Sequence, residues 1–156
     1  MLSVLVAFVV RCLLVALFLP FSALDKIWNF GQAVDQAEEA IPNRKLATML
    51  IVCGFVVEIV MSAAILAGFW DRLAALILAA YCLATALLWK RFWNEPDFLL
   101  KGARAHRTLY WDFLKNLALA GGFLLLTFGS DAAGVRRFFA HPLASSHPYE
   151  IAAHER

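Results

Sequence analysis

Two ionisable side chains interrupt apolar sequence and are the first candidates for chemistry. Arg11 lies in VVRCLLVALF, residues 9–18, and Glu58 lies in VVEIVMSAA, residues 56–64. A guanidinium stays ionised at any physiological pH, whereas a desolvated carboxyl can neutralise itself by taking up a proton. Arg11 therefore demands a partner. An unpaired charge near a bilayer centre costs about 3 kcal/mol on insertion scales, so such groups turn inward and pair. The chemistry open to the two residues is that of a buried ion pair, or of a polar site that holds a ligand.

Other chemistry is poorly supplied. Cys12, Cys53 and Cys82 fall one to each of three separate apolar stretches without a Cys-x-x-Cys, and a thiol relay needs a reactive pair near a surface, so they read as small packing residues. His106 stands in a basic loop, and His141, His147 and His154 stand near the C-terminus. None is within an apolar stretch where it would ligate a buried haem, and no spacing suits a metal, so neither haem nor metal is expected. Phosphate-binding glycine loops, nucleophile elbows and paired catalytic carboxylates are absent from the sequence. The chain carries no self-contained catalytic motif.

The elements that must position Arg11 and Glu58 follow from composition. The 156 residues are 62% hydrophobic with a mean hydropathy of +0.70, well above a soluble domain. Four apolar stretches, about 2–24, 46–69, 72–89 and 113–129, approach the roughly 20 residues that a helix needs to cross a bilayer. The expected fold is an all-α membrane protein, a bundle of four transmembrane helices. A cleaved signal peptide is disfavoured for the first stretch, because it lacks a basic leader and Arg11 breaks its apolar core. Between the first two spans, Ile27, Phe30, Val34, Ala37 and Ile41 recur every three or four residues opposite Asp35, Gln36, Glu38 and Glu39, the pattern of an amphipathic helix in the interface. Residues 130–156 are polar and read as a flexible tail.

Lys and Arg concentrate in the two long loops, including Arg44, Lys45, Arg91, Lys101, Arg104 and Arg107. This places the loops in the cytoplasm and both termini outside. The basic loop reads as a topology-setting or lipid-facing patch, so no nucleic-acid partner is expected. Counted from the long-loop side, Arg11 is about 13 residues deep and Glu58 about 12, which at 1.5 Å per residue puts both roughly 18–20 Å in. The depth predicts a salt bridge between Arg11 and Glu58. Gly54 and Ser62, one turn to either side of Glu58, allow close helix approach, as do Ala118, Gly121 and Gly122 in the last span. Lys26, Thr85, Lys115 and Asn116 form the expected polar lip on the cytoplasmic side.

These residues resemble the DoxX family of membrane proteins: Arg11, Leu13-Leu14, Phe18, Lys26, Pro42, Glu58, Gly68, Arg72-Leu73-Ala74-Ala75, Ala84-Thr85, Phe92-Trp93 and FLKNLALAGGFLLL from Phe113 to Leu126. The likeness spans roughly residues 10–129. The chain departs from the family pattern at Ser22-Ala23-Leu24-Asp25, which lacks a Gly before the Lys, and at Lys90-Arg91, where relatives often carry a His. The resemblance implies a bacterial inner-membrane protein associated with sulfur-oxidising, respiratory or oxidative-stress complexes. It further implies a non-catalytic or quinone-contacting subunit, with quinone as the possible cofactor and with lipid, redox-complex subunits or a second copy of the chain as partners. A small-solute transporter or channel and a structural assembly module are the alternatives; the lack of an internal repeat and of broken helices speaks against a transporter monomer.

Overall fold

The computed structural model describes residues 1–95 and 104–150. Lys101 and His154 lie outside the described residues. Among the described residues the regular structure is all helical, without strands, and four helical segments are long and apolar enough to cross a membrane: Leu2–Trp28, Arg44–Ala67, Asp71–Asn94 and Arg107–Phe128.

The first span is not one straight helix. Helix α1 (Leu2–Val15) passes through a π-helical stretch, Leu17–Ser22, into α2 (Ala23–Trp28). Pro20 explains the break: it brings no N–H, and it pushes the residue before it out of the helical region. Leu19 accordingly takes φ −123° and ψ 108°. The span therefore ends four residues later than the hydropathy suggests, at Trp28.

Helix α3 (Phe30–Ala40) is the expected amphipathic helix. Val34 and Ala37 bury against Ala47, with Ile51 and Trp89 alongside, while Ile27 and Phe30 from the same apolar series remain exposed. Its acidic face holds Arg44, which donates to Asp35 at 2.8 Å and to Glu38 at 3.2 Å. Pro42 and the Asn43 side chain, which accepts from the Leu46 N–H, then start α4 (Arg44–Ala67).

Helix α4 ends at Gly68, whose φ of +72° is the left-handed cap that glycine adopts without steric cost. The Phe69 N–H reaches back to the Ala64 carbonyl, and α5 (Asp71–Trp89) starts at once. The connection is a tight hairpin, as the two-residue gap between the apolar stretches 46–69 and 72–89 requires. Helix α5 lies along both α4 and α6 (Arg104–Phe128), and α1 touches α4 and α6, which closes the four-helix bundle. Val15, Phe18, Ile65, Leu78, Cys82 and Phe123 meet in its core, so Cys82 is a packing residue.

The sequence reading of 130–156 as a flexible polar tail needs correction over its described part. Helix α7 (Ala132–Ala140) follows α6, with the Asp131 side chain accepting from the Gly134 N–H at 2.7 Å. Phe138 is buried and packs edge-on against Phe128. The polar average hid Phe138, because Arg136, Arg137 and the prolines beyond dominate the composition. Gly134 permits the packing: a Cβ there would stand 1.9 Å from the Phe128 carbonyl oxygen. Gly134→Ala is thus expected to lift α7 from α6 at a cost of about 1–3 kcal/mol, the range for overpacking. Amide exchange should accelerate in residues 132–140 while the four spans keep their protection; unchanged exchange in α7 would contradict this account.

Candidate functional site

Arg11 and Glu58 are both buried, at 3% and 2% relative exposure, but they belong to different clusters. Arg11 Nη2 donates to Asp71 Oδ2 at 2.5 Å and to Ser146 Oγ at 2.8 Å, and its Nη1 donates to the Ile65 carbonyl at 2.7 Å. Glu58 is held by Lys26, whose Nζ lies 2.8 Å from Oε1 and 2.9 Å from Oε2. The Tyr81 hydroxyl donates to Oε1 at 2.7 Å and the Ser22 hydroxyl to Oε2 at 3.0 Å.

The expected Arg11–Glu58 bridge is therefore incorrect, and the reason is geometric. With α2 extending the first span to Trp28, Arg11 is about 17 residues, or roughly 25 Å, from the long-loop end. Its level in α4 is Ile65, seven residues beyond Glu58, so the two charges are separated by about 10 Å along the axis. The added turn brings Lys26 and Ser22 to the depth of Glu58 instead. Lys26 Nζ spends all three protons there, the third on Ser22 Oγ at 2.7 Å.

The other members of the expected lip stay apart. Thr85 Oγ1 bonds to the carbonyls of Tyr81 and Cys82 on its own helix, and Lys115 is exposed and paired with Asp112 at 3.1 Å. Asn116 is half-buried on α6 and joins neither cluster. Only Lys26 of the four enters a site.

Four site residues escaped the sequence reading. Ser22 and Tyr81 are uncharged and looked like ordinary helix residues. A signal for Tyr81 existed in Gly54: a Cβ there would stand 3.0 Å from the Tyr81 hydroxyl, so the glycine makes room for the phenol beside Glu58. Asp71 was hidden by Arg72, because adjacent opposite charges in a hairpin look like a solvated turn. Its side chain is fully buried, at the first turn of α5 where the helix dipole favours an anion. Ser146 lay in the segment read as a tail. Ser62, one turn past Glu58, is fully buried, and its hydroxyl finds no partner among the described residues.

A model of the DoxX family matches residues 6–91, more than half of the chain and a stretch that includes Arg11, Ser22, Lys26, Glu58, Asp71 and Tyr81. The chain belongs to the DoxX family. No curated protein and no solved structure matches it. The family match contains both buried ion pairs of this DoxX chain, while the FLKNLALAGGFLLL stretch of α6 and the Ser146 segment lie beyond it.

Two clefts of the DoxX bundle lie away from both pairs. One of about 380 Å³ lies between α3 and the end of α5, beside Gln36, Glu39, Trp89, Arg91 and Asn94. Another of about 440 Å³ lies between α6 and α7, beside Gly121, Leu125, Phe128 and Val135. No group of three His, Cys, Asp or Glu side chains gathers among the described residues. What the two clusters offer is donors and acceptors fixed within an apolar bundle.

Proposed function

We propose that this multi-pass membrane protein is a subunit of a redox complex of the bacterial inner membrane, contacting a quinone headgroup while a partner carries the electron-transferring group. The observation that carries the reading is the Ser22–Lys26–Glu58–Tyr81 cluster: an ammonium, a carboxylate and a phenol brought together inside an apolar span, with the Lys26 side chain still 14% exposed. Ionisable groups at that depth mark functional sites more often than not. A quinone carbonyl would accept from Lys26 and Tyr81, and a quinol hydroxyl would donate to Glu58. Lys26 and Glu58 need Ser22 to give up its bonds to the pair, because every proton of Lys26 is already engaged, and Tyr81 must turn its one proton away from Glu58 Oε1. In this reading the long loops and α3 face the cytoplasm and the Arg11–Asp71 end faces outward.

A second reading, a packing module whose ion pairs only fix helix register, is favoured by that same saturation. The readings part on one experiment. The protein is purified in mild detergent, its lipid fraction extracted, and bound quinone and copurifying subunits identified by mass spectrometry. The redox reading expects quinone near one per chain, falling at least fivefold in Tyr81→Phe with helix content unchanged. Quinone-free protein without a copurifying oxidoreductase subunit would leave the packing module.

A further inference from the structure

The Arg11–Asp71 pair is completed by a segment that is remote in sequence. The Ser146 hydroxyl sits between the two charges, accepting from Arg11 Nη2 and donating to Asp71 Oδ2, and the Ser146 N–H donates to Asp71 Oδ1 at 2.8 Å. Its neighbours engage the α4–α5 hairpin. The Trp70 N–H donates to Ser145 Oγ at 3.0 Å, and the Tyr149 hydroxyl donates to the Leu66 carbonyl at 2.5 Å. Burial holds the Tyr149 phenol above its usual pKa, which keeps it a donor. Pro148 lies over Gly68, where a Cβ would come within 2.9 Å of the ring, so the glycine that caps α4 also leaves space for the segment.

We infer that the Arg11–Asp71 end of the bundle is a peptide-binding seat, whose ligand class is a short turn-forming segment bearing serine and tyrosine, and that residues 145–149 are its resident ligand. The contacts are concentrated at one place. Outside these contacts the chain faces away from the bundle: residues 141–144, His147 and Glu150 are exposed, and His147 and Glu150 pair with each other at 2.9 Å. His147 takes φ +50°, a left-handed turn uncommon for a residue other than glycine, between the inward-facing Ser146 and Pro148. Groups that hold the segment are supplied almost wholly by α1 and the α4–α5 hairpin, and none of its hydrogen bonds involves the Lys26–Glu58 cluster. The segment thus behaves as a ligand tethered through α7, held by polar contacts that a free peptide of the same sequence would reproduce. This seat is independent of any quinone site at Glu58.

The test uses the full chain in nanodiscs and the amide exchange of Trp70, whose N–H is covered by Ser145. In the variant Ser146→Ala with Tyr149→Ala, Trp70 should exchange at least tenfold faster, with exchange around Glu58 unchanged. Adding the synthetic peptide of residues 143–150 should restore slow exchange, and a peptide carrying the Ser146→Ala change should not. Unaltered Trp70 exchange in the variant would show that the segment does not hold the seat. Acceleration that spreads to the Glu58 region would make the segment part of the folding core, and equal action or inaction of the two peptides would exclude a serine-reading seat. Any of these three results overturns the inference.

Discussion

Asp71→Ala is expected to be the most damaging replacement of a charged residue, costing about 3–5 kcal/mol, the range for removing one partner of a buried pair. The asymmetry of the two ions sets the magnitude. Arg11 cannot discard its charge, and without Asp71 it would keep only the Ile65 carbonyl and the Ser146 hydroxyl, both neutral. The loss would extend further, since Asp71 also receives the Ser146 N–H and hydroxyl. Arg11→Met should be milder, because an aspartate left behind can neutralise by protonation and retains both bonds to Ser146. Unfolding of the purified protein in mixed micelles, followed by circular dichroism, ranks the variants. Asp35→Ala is the control: Asp35 is paired with Arg44 but 64% exposed, and its loss should leave the midpoint in place. If Asp71→Ala unfolded like Asp35→Ala, the buried pair would not contribute to the stability of the bundle.

The contrast between Asp71 and Asp35 also shows what can be read from sequence. Span number, the hairpin and α3 are legible because they rest on averages over many residues, where one error of register changes little. The pairing of Arg11 rests on a single depth, and a single extended residue, Leu19, together with four residues of added span moves that depth by about a turn. Pro20 was visible throughout. Its effect on register was not, because whether a proline kinks a span or ends it depends on what packs around the break. Here Phe18 is buried against Tyr81 and Phe123 across the bundle, and the chain continues as α2. The Ser146 seat was illegible for a different reason: it joins positions 135 residues apart, and no local pattern marks a serine that will fill a gap between two charges.

Lys26 and Glu58 give the second large effect, and it bears on function as well as on stability. Glu58→Leu leaves the Lys26 ammonium with only Ser22 as an acceptor, and Lys26→Met leaves the Glu58 carboxylate with only the neutral donors Tyr81 and Ser22. Each single change should cost about 3 kcal/mol, whereas the double change removes both ions and should cost less than about 1 kcal/mol, since buried pairs exchanged for apolar residues are often neutral. The coupling between the two sites should then be about 5 kcal/mol, above the usual range for neighbouring side chains, because each single variant strands a charge inside the span. Additive losses would mean that the two ions do not compensate each other. The double variant is also the sharpest functional probe, because it is expected to keep the fold without the polar groups. A packing module would retain its host phenotype in that variant. A quinone-contacting subunit would remain in the membrane and in its complex, yet lose the bound quinone, since neither the ammonium that donates to the carbonyl nor the carboxylate that receives the quinol proton would remain.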